Sequence, residues 1–288
     1  MRKSLRILVT LLVVAAAVAA GLWLWHYYLY TPWTRDGRVR ANVITIAPDV
    51  SGWVDTLAVQ DNASVDRGEV LFTVNDTRYQ AALERAQAVV DQRQATLDLK
   101  RHEQSRRQRL SRQAISAENQ EIARIDTRVA EANLAQAQAD LESARIDVER
   151  TVVKAPVAGH ILNMHLNAGN YVNAGQATMA LVQADSFYVT GYFEETKMPF
   201  IDLGDAAVVT LMSGDTRLRG HVAGLGRGIA NTNTSTNTEL LPQVQPTFNW
   251  VRLAQRIPVR IELDAIPEGT LLSAGMTATV RIVDAADQ

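Results

Sequence analysis

The sequence predicts a mixed α and β chain, elongated. It reads as an N-terminal transmembrane helix, a split β-sandwich with an inserted α-helical coiled-coil hairpin, and a small C-terminal β-barrel. Three observations predict this. A long uncharged run opens the chain, a glycine-marked repeat occurs twice, and the stretch between the two copies holds no Gly and no Pro.

Arg2, Lys3 and Arg6 precede an uncharged run over residues 7–25. As a helix it reaches roughly 28 Å at about 1.5 Å per residue, close to the roughly 30 Å of a hydrocarbon core. Trp23, Trp25, Tyr27, Tyr28, Tyr30 and Trp33 follow as an aromatic belt. The basic residues place the N-terminus in the cytoplasm and the rest of the chain across the membrane. Ala17-Val18-Ala19 also offers a small-x-small cleavage pattern, but the run is longer than a signal-peptide core. Either reading exports the remainder. Ala17 and Gly21 form a small-xxx-small pair suited to close helix packing in the membrane.

Residues 45–74 and 153–182 repeat. Gly52 and Gly68 recur as Gly159 and Gly175 at one constant offset, which Val54 and Ile161, Asn62 and Gly169, and Val65 and Val172 keep. Ala47-Pro48 recurs as Ala155-Pro156 one position further on. Each copy alternates apolar and polar residues between turns, and Gly52, Gly68, Gly159 and Gly175 mark those turns. A unit of about 30 residues cannot bury its own apolar face, so the copies are expected to pack together as one sandwich.

Between the copies, Ala, Gln, Glu, Arg and Leu dominate, mostly good helix formers. Leu83, Val90 and Leu97 fall at heptad spacing, as do Leu134, Leu141 and Val148, and Ile125, Ala132, Ala139 and Ile146. A break is expected over residues 113–116, with Ser116 as N-cap. This gives two antiparallel helices of about 34 residues, roughly 50 Å each. Beyond Asp185, strand candidates fall at residues 187–193, 206–211, 218–223, 257–263 and 276–283, spaced as in a small barrel. NTNTSTNT over residues 231–238 is low complexity and expected to be a mobile loop.

Composition removes several functions. The 288 residues are 47% hydrophobic with a net charge of -2, so no basic surplus offers itself to nucleic acid. There is no Cys, hence no disulfide and no thiolate site. His26, His102, His160, His165 and His221 are scattered, and His160 and His165 should face opposite sides of a sheet. Glu194 and Glu195 are adjacent on a strand and point apart. Gly224, Gly226 and Gly228 lack the following helix of a phosphate loop and read as a flexible connector. No catalytic residue, cofactor or metal site is expected.

The order of parts, with APDVSG…VDRGEVLFTV and APVAGHI…VNAGQATMALV, resembles the HlyD-type membrane fusion protein family. That family runs from an anchor through a lipoyl-like half, an α-hairpin and a second lipoyl-like half to a β-barrel. YTPWTRDGRVRANVITIAPDVSG, SFYVTGYFEETK and FNWVRLAQRIPVRIELD look closest to its AaeA-type adaptors of aromatic carboxylic acid efflux. The resemblance implies a non-enzymatic periplasmic adaptor in the bacterial inner membrane. It would pair with an inner-membrane transporter and an outer-membrane channel, as a homo-oligomer (trimer or hexamer), and export acids such as p-hydroxybenzoate. It also implies a channel-facing hairpin tip at Arg106, Leu110 and Ser116, where the last spacing is one residue short of the family's. Lipoyl domains also serve as cofactor carriers, but neither turn here (residues 74–78 and 182–185) holds a Lys to modify. Adaptors of multidrug efflux and of type I secretion share the architecture, and the short hairpin argues against secretion. The division that follows is an anchor over 1–30, a first lipoyl-like half with a lead-in strand over 31–76, the hairpin over 77–150, a second half over 151–185, and the barrel over 186–288 with its mobile loop at 229–248.

Overall fold

A computed structural model describes residues 10–22, 31–109, 117–214, 216–228, 234–236, 242–244, 254–267 and 269–283. Residues 10–22 form helix α1, whose Leu11, Leu12, Val13, Val14, Val18 and Leu22 are all more than half exposed. No helix among the described residues is long and apolar enough to cross a membrane. Helix α1 is the middle of the run read as a span. The two ends of that run, its leading basic residues and the aromatic residues of 23–30 lie outside the described residues.

Strand β1 (Trp33–Arg40) comes next, then β2 (Val43–Ile46), β3 (Gly52–Leu57), β4 (Ser64–Val65) and β5 (Val70–Val74). Two long helices follow, α2 (Thr77–Arg109) and α3 (Ala117–Arg150), then β6 (Val152–Lys154), β7 (Gly159–Leu162), β8 (Tyr171–Val172) and β9 (Met179–Gln183). The C-terminal part holds β10 (Tyr188–Glu194), a 3-10 helix (Glu195–Phe200), β11 (Ala206–Leu211), β12 (Arg217–Leu225), β13 (Thr234–Thr236), β14 (Pro242–Val244), β15 (Arg256–Leu263) and β16 (Thr277–Val283). Contacts divide the chain into two units, Met1–Asn42 with Asp185–Gln288, and Val43–Ala184.

In the Val43–Ala184 unit two four-stranded sheets run β2-β9-β7-β4 and β6-β5-β3-β8. Exchanging the two repeats turns one order into the other, so every sheet draws two strands from each copy. The core follows the same exchange: Val54 and Ile161, Val59 and Leu166, and Val65 and Val172 are all buried. Gly68 and Gly175 hold φ of +87° and +75°, a region that L side chains resist. Gly52 and Gly159 open strands instead, and space is what excludes a side chain there. A Cβ on Gly159 would lie 2.1 Å from the carbonyl oxygen of Val182.

Helices α2 and α3 leave this sandwich from adjacent strands, since β5 and β6 pair. Their roots clasp one loop. The Tyr79 hydroxyl and the Arg78 guanidinium donate to the carbonyl of Ser51, at 2.7 and 3.1 Å. Arg150 of α3 pairs with Asp49 at 2.9 Å.

The other unit is a closed antiparallel barrel in the order β1-β10-β15-β12-β11-β16. Strand β1 corrects the sequence reading of these residues as a lead-in to the sandwich. Val39 is fully buried in the barrel core, and β1 pairs with both β10 and β16. The five strands read from the sequence would leave two open edges, which this sixth strand closes. Gly224 likewise belongs to strand β12, at an irregularity in its register with β15, rather than to a connector. Most of the 229–248 stretch lies outside the described residues, and its β13 and β14 pair with each other.

Candidate functional site

Among the described residues, the hairpin offers a surface with both an apolar and a charged pattern. Its seam is built by Leu97 of α2 with Ala130 and Leu134 of α3, Val90 packing against them. Ala123, Thr127 and Ala137 are also buried, with the Thr127 hydroxyl donating to the Ala123 carbonyl at 2.9 Å. Small side chains here let the helices approach closely. Of the row Leu134, Leu141 and Val148, Leu134 is buried in this seam, and Leu141 and Val148 are half-buried.

The row Ile125, Ala132, Ala139 and Ile146 does not, which corrects the sequence reading. Ile125 and Ile146 are 48% and 43% exposed. Residue 125 stands two positions past 123, about 200° around the helix at 3.6 residues per turn. The inner row is Ala123, Ala130 and Ala137. As a result Ile122, Ile125 and Val129 form an exposed apolar stripe at i, i+3 and i+7.

Charge is organised toward the end where α2 stops and α3 starts. The Lys100 ammonium lies 3.3 Å from both Glu103 and Asp126, the second contact crossing between helices. Hydrogen bonds to Glu103 first and Asp126 second raise its pKa above the ordinary 10.5. Arg101 reaches Glu131 at 3.0 Å, and Arg124 holds Glu121 at 2.6 Å, which lowers the Glu121 pKa. The last turn of α2 carries Arg106, Arg107 and Arg109, where the helix dipole favours cations. Arg107 donates to the Asn119 carbonyl at 3.4 Å. Arg106 is exposed and has no ion pair among the described residues.

Leu110 and Ser116, read with Arg106 as the tip, lie outside the described residues, as do the residues between them. Ala17 and Gly21 sit one turn apart on α1, with nothing within 4 Å of the position a Gly21 Cβ would take. Among the described residues no group of three or more His, Asp or Glu could hold a metal ion. Glu194 ends β10 while Glu195 begins the 3-10 helix, and both are exposed. An exposed His221–Asp264 pair at 2.8 Å on the barrel was not legible from sequence spacing.

Two family models match the chain. The alpha-helical hairpin domain of the pHBA AAEA subunit matches residues 77–149, and the AAEA-like beta-barrel domain matches residues 186–283. The uncharacterized protein YdhJ of Escherichia coli (strain K12) is 40% identical over 280 residues, covering 97% of this chain and 98% of that one. Among solved structures, MacA from Actinobacillus actinomycetemcomitans superposes with a TM-score of 0.65 at 18% identity, over 89% of this chain and 83% of that one. The membrane fusion protein Spr0693 from Streptococcus pneumoniae R6 gives 0.64 at 18% identity, over 88% and 98%. At that identity the two structures speak for the fold alone. Matched in hairpin and barrel and related over nearly its whole length to a curated protein, the chain belongs to the AAEA-like membrane fusion proteins, the non-enzymatic periplasmic adaptors of efflux pumps.

Proposed function

We propose that this adaptor links an inner-membrane transporter to an outer-membrane channel in a pump for aromatic carboxylic acids such as p-hydroxybenzoate. The observation that carries the reading is the hairpin. It is inserted between two interleaved sandwich halves, rooted on one loop, and matched by the hairpin of a pHBA AAEA subunit. A helix pair held at both roots transmits force along its length and offers its far end to a partner. Arg106, Leu110 and Ser116 face the channel at that end. Residues 7–25 anchor the chain in the inner membrane, N-terminus in the cytoplasm, with Ala17 and Gly21 packing against a transporter helix. The exported part assembles as a trimer or hexamer around the pump axis. The working division is an anchor over 1–30, sandwich halves flanking a 77–150 hairpin, and a barrel of 186–288 completed by β1.

The test is p-hydroxybenzoate efflux from loaded cells lacking this gene and complemented in trans. Wild type should restore efflux. A variant whose hairpin is replaced by a short turn, with the sandwich shown folded, should not. Efflux at the wild-type rate from that variant would refute the coupling role.

A further inference from the structure

We propose that a groove on the barrel binds a small aromatic carboxylate directly, which makes the adaptor a ligand-binding subunit as well as a connector. The proposal deepens the export reading and rests on it for the choice of acid. The site itself is argued from the groove.

Strand β1 slips register against β16 between Thr34 and Gly37, and such bulges re-aim side chains. Beside the bulge lies a groove of about 500 Å³, within the usual range for small-molecule sites. Its wall is held in place from several strands. The Thr34 hydroxyl donates to the Tyr192 carbonyl at 2.8 Å, and Arg40 donates to the Tyr192 hydroxyl at 3.2 Å.

The decisive group is Lys197, which lines the groove from the 3-10 helix and is only 9% exposed. Its ammonium donates to the Trp33 carbonyl at 3.1 Å and lies 5.1 Å from the centre of the Trp33 ring. Among the described residues no carboxylate lies within ion-pair reach of it. A buried ammonium is costly unless a counter-charge meets it, and among the described residues two of its three N–H donors find no partner.

The remaining charges favour an anion. Arg35, 5.5 Å from the same Trp33 ring, Arg38 and Arg256 line the groove, against Asp36 and Glu194. Asp36 is already held by Arg256 at 2.6 Å and by Arg38 at 3.7 Å. Glu194 is exposed at the rim. The groove therefore keeps a cationic surplus around one buried ammonium, beside two aromatic side chains, Trp33 and Tyr192. A carboxylate on Lys197, with its ring against the Trp33 and Tyr192 side, uses each of these features. A carboxylate without a ring leaves the aromatic wall unused.

The test is calorimetric titration of the detergent-purified full chain with 4-hydroxybenzoate, and with acetate and inorganic phosphate as competitors. Saturable 4-hydroxybenzoate binding that acetate and phosphate do not displace is expected. Lys197→Met should weaken it at least about tenfold, since a hydrogen bond to a charged group is lost, and Lys197→Arg should retain most of it. Arg35→Gln, at an exposed position that leaves the fold intact, should weaken it as well. No saturable binding, equal binding by Lys197→Met and Arg35→Gln, or equal displacement by phosphate would overturn the proposal. Binding without adaptor-dependent efflux would leave the site standing and remove the export reading. Adaptor-dependent efflux without binding would remove only the site.

Discussion

The amide of Gly68 donates to the carbonyl of Ala155 at 2.8 Å, and the amide of Gly175 donates to the carbonyl of Pro48 at the same distance. These are one contact made twice, once in each direction between the repeats. Each copy closes its own turn, with the Glu69 amide donating to the Asp66 carbonyl and the Gln176 amide to the Asn173 carbonyl, both at 3.1 Å. The glycine amide inside each turn is satisfied only by the other copy, so the sandwich is complete only when both repeats are in place.

Two kinds of glycine in this sandwich should respond differently to alanine. At Gly68 nothing lies within 4 Å of an added Cβ, so Gly68→Ala meets only the cost of a left-handed backbone, about 1–2 kcal/mol. At Gly159 the Cβ would strike the Val182 backbone, which lies in the strand paired with β7. Gly159→Ala should cost more than Gly68→Ala and loosen the β7–β9 pairing. Denaturant unfolding of the two variants measures this, and equal losses would contradict the assignment.

The hairpin register gives a second contrast. Leu97 is 2% exposed in the seam, and Leu97→Ala should cost about 2–5 kcal/mol. Ile125, nearly half exposed, should cost no more than about 0.5 kcal/mol when changed to Ala. Thermal melts followed by helical circular dichroism decide the matter, and a reversed order would restore the heptad row read from the sequence.

That row shows where sequence reasoning stopped. Two heptad rows of apolar residues run along α3, and spacing alone does not say which turns inward. Larger Ile and Val side chains suggest the interior, yet the row with Ala123, Ala130 and Ala137 lies there, because close approach of two helices rewards small residues. The repeat, the two helices and five barrel strands were legible because their signals are local. Strand β1 was not. Val39 is the one apolar side chain buried on it, arginines flank that residue, and its pairing partners lie far along the chain. The Lys197 groove was hidden for the same reason, since Trp33, Tyr192, Lys197 and Arg256 meet only in three dimensions. Of the tip read as Arg106, Leu110 and Ser116, only Arg106 lies among the described residues.

The Lys100 cluster predicts a pH dependence. Its folded pKa is raised, so the unfolded chain releases the proton first. Its contribution to stability is therefore fully present below the unfolded pKa, near 10.5, and is lost as pH rises through the higher folded value. Between pH 7 and 9 the wild type and Lys100→Met should keep a constant difference in melting temperature, and above pH 10.5 that difference should shrink. The side chain is about one-third open to solvent, so the difference is small and falls with salt. A difference that grows with alkaline pH would contradict the cluster geometry.

Arg106 carries the last prediction, because it separates a structural role from a docking role. The side chain is exposed and unpaired among the described residues, so Arg106→Glu should change stability by no more than about 0.5 kcal/mol. If the hairpin end meets a channel through that charge, the same variant should lower both efflux and co-purification of the channel from crosslinked membranes. An exposed charge is screened by salt over about 8 Å at physiological ionic strength. The loss of co-purification should therefore be largest at low salt and fade as salt is raised, whereas a misfolded hairpin would lose its partner at every salt concentration. Val129→Asp, on the apolar stripe of α3, gives the complementary case, since loss of an apolar contact does not recover with salt. Unchanged efflux in Arg106→Glu would remove this residue from the docking surface and leave the stripe of Ile122, Ile125 and Val129 as the face to test.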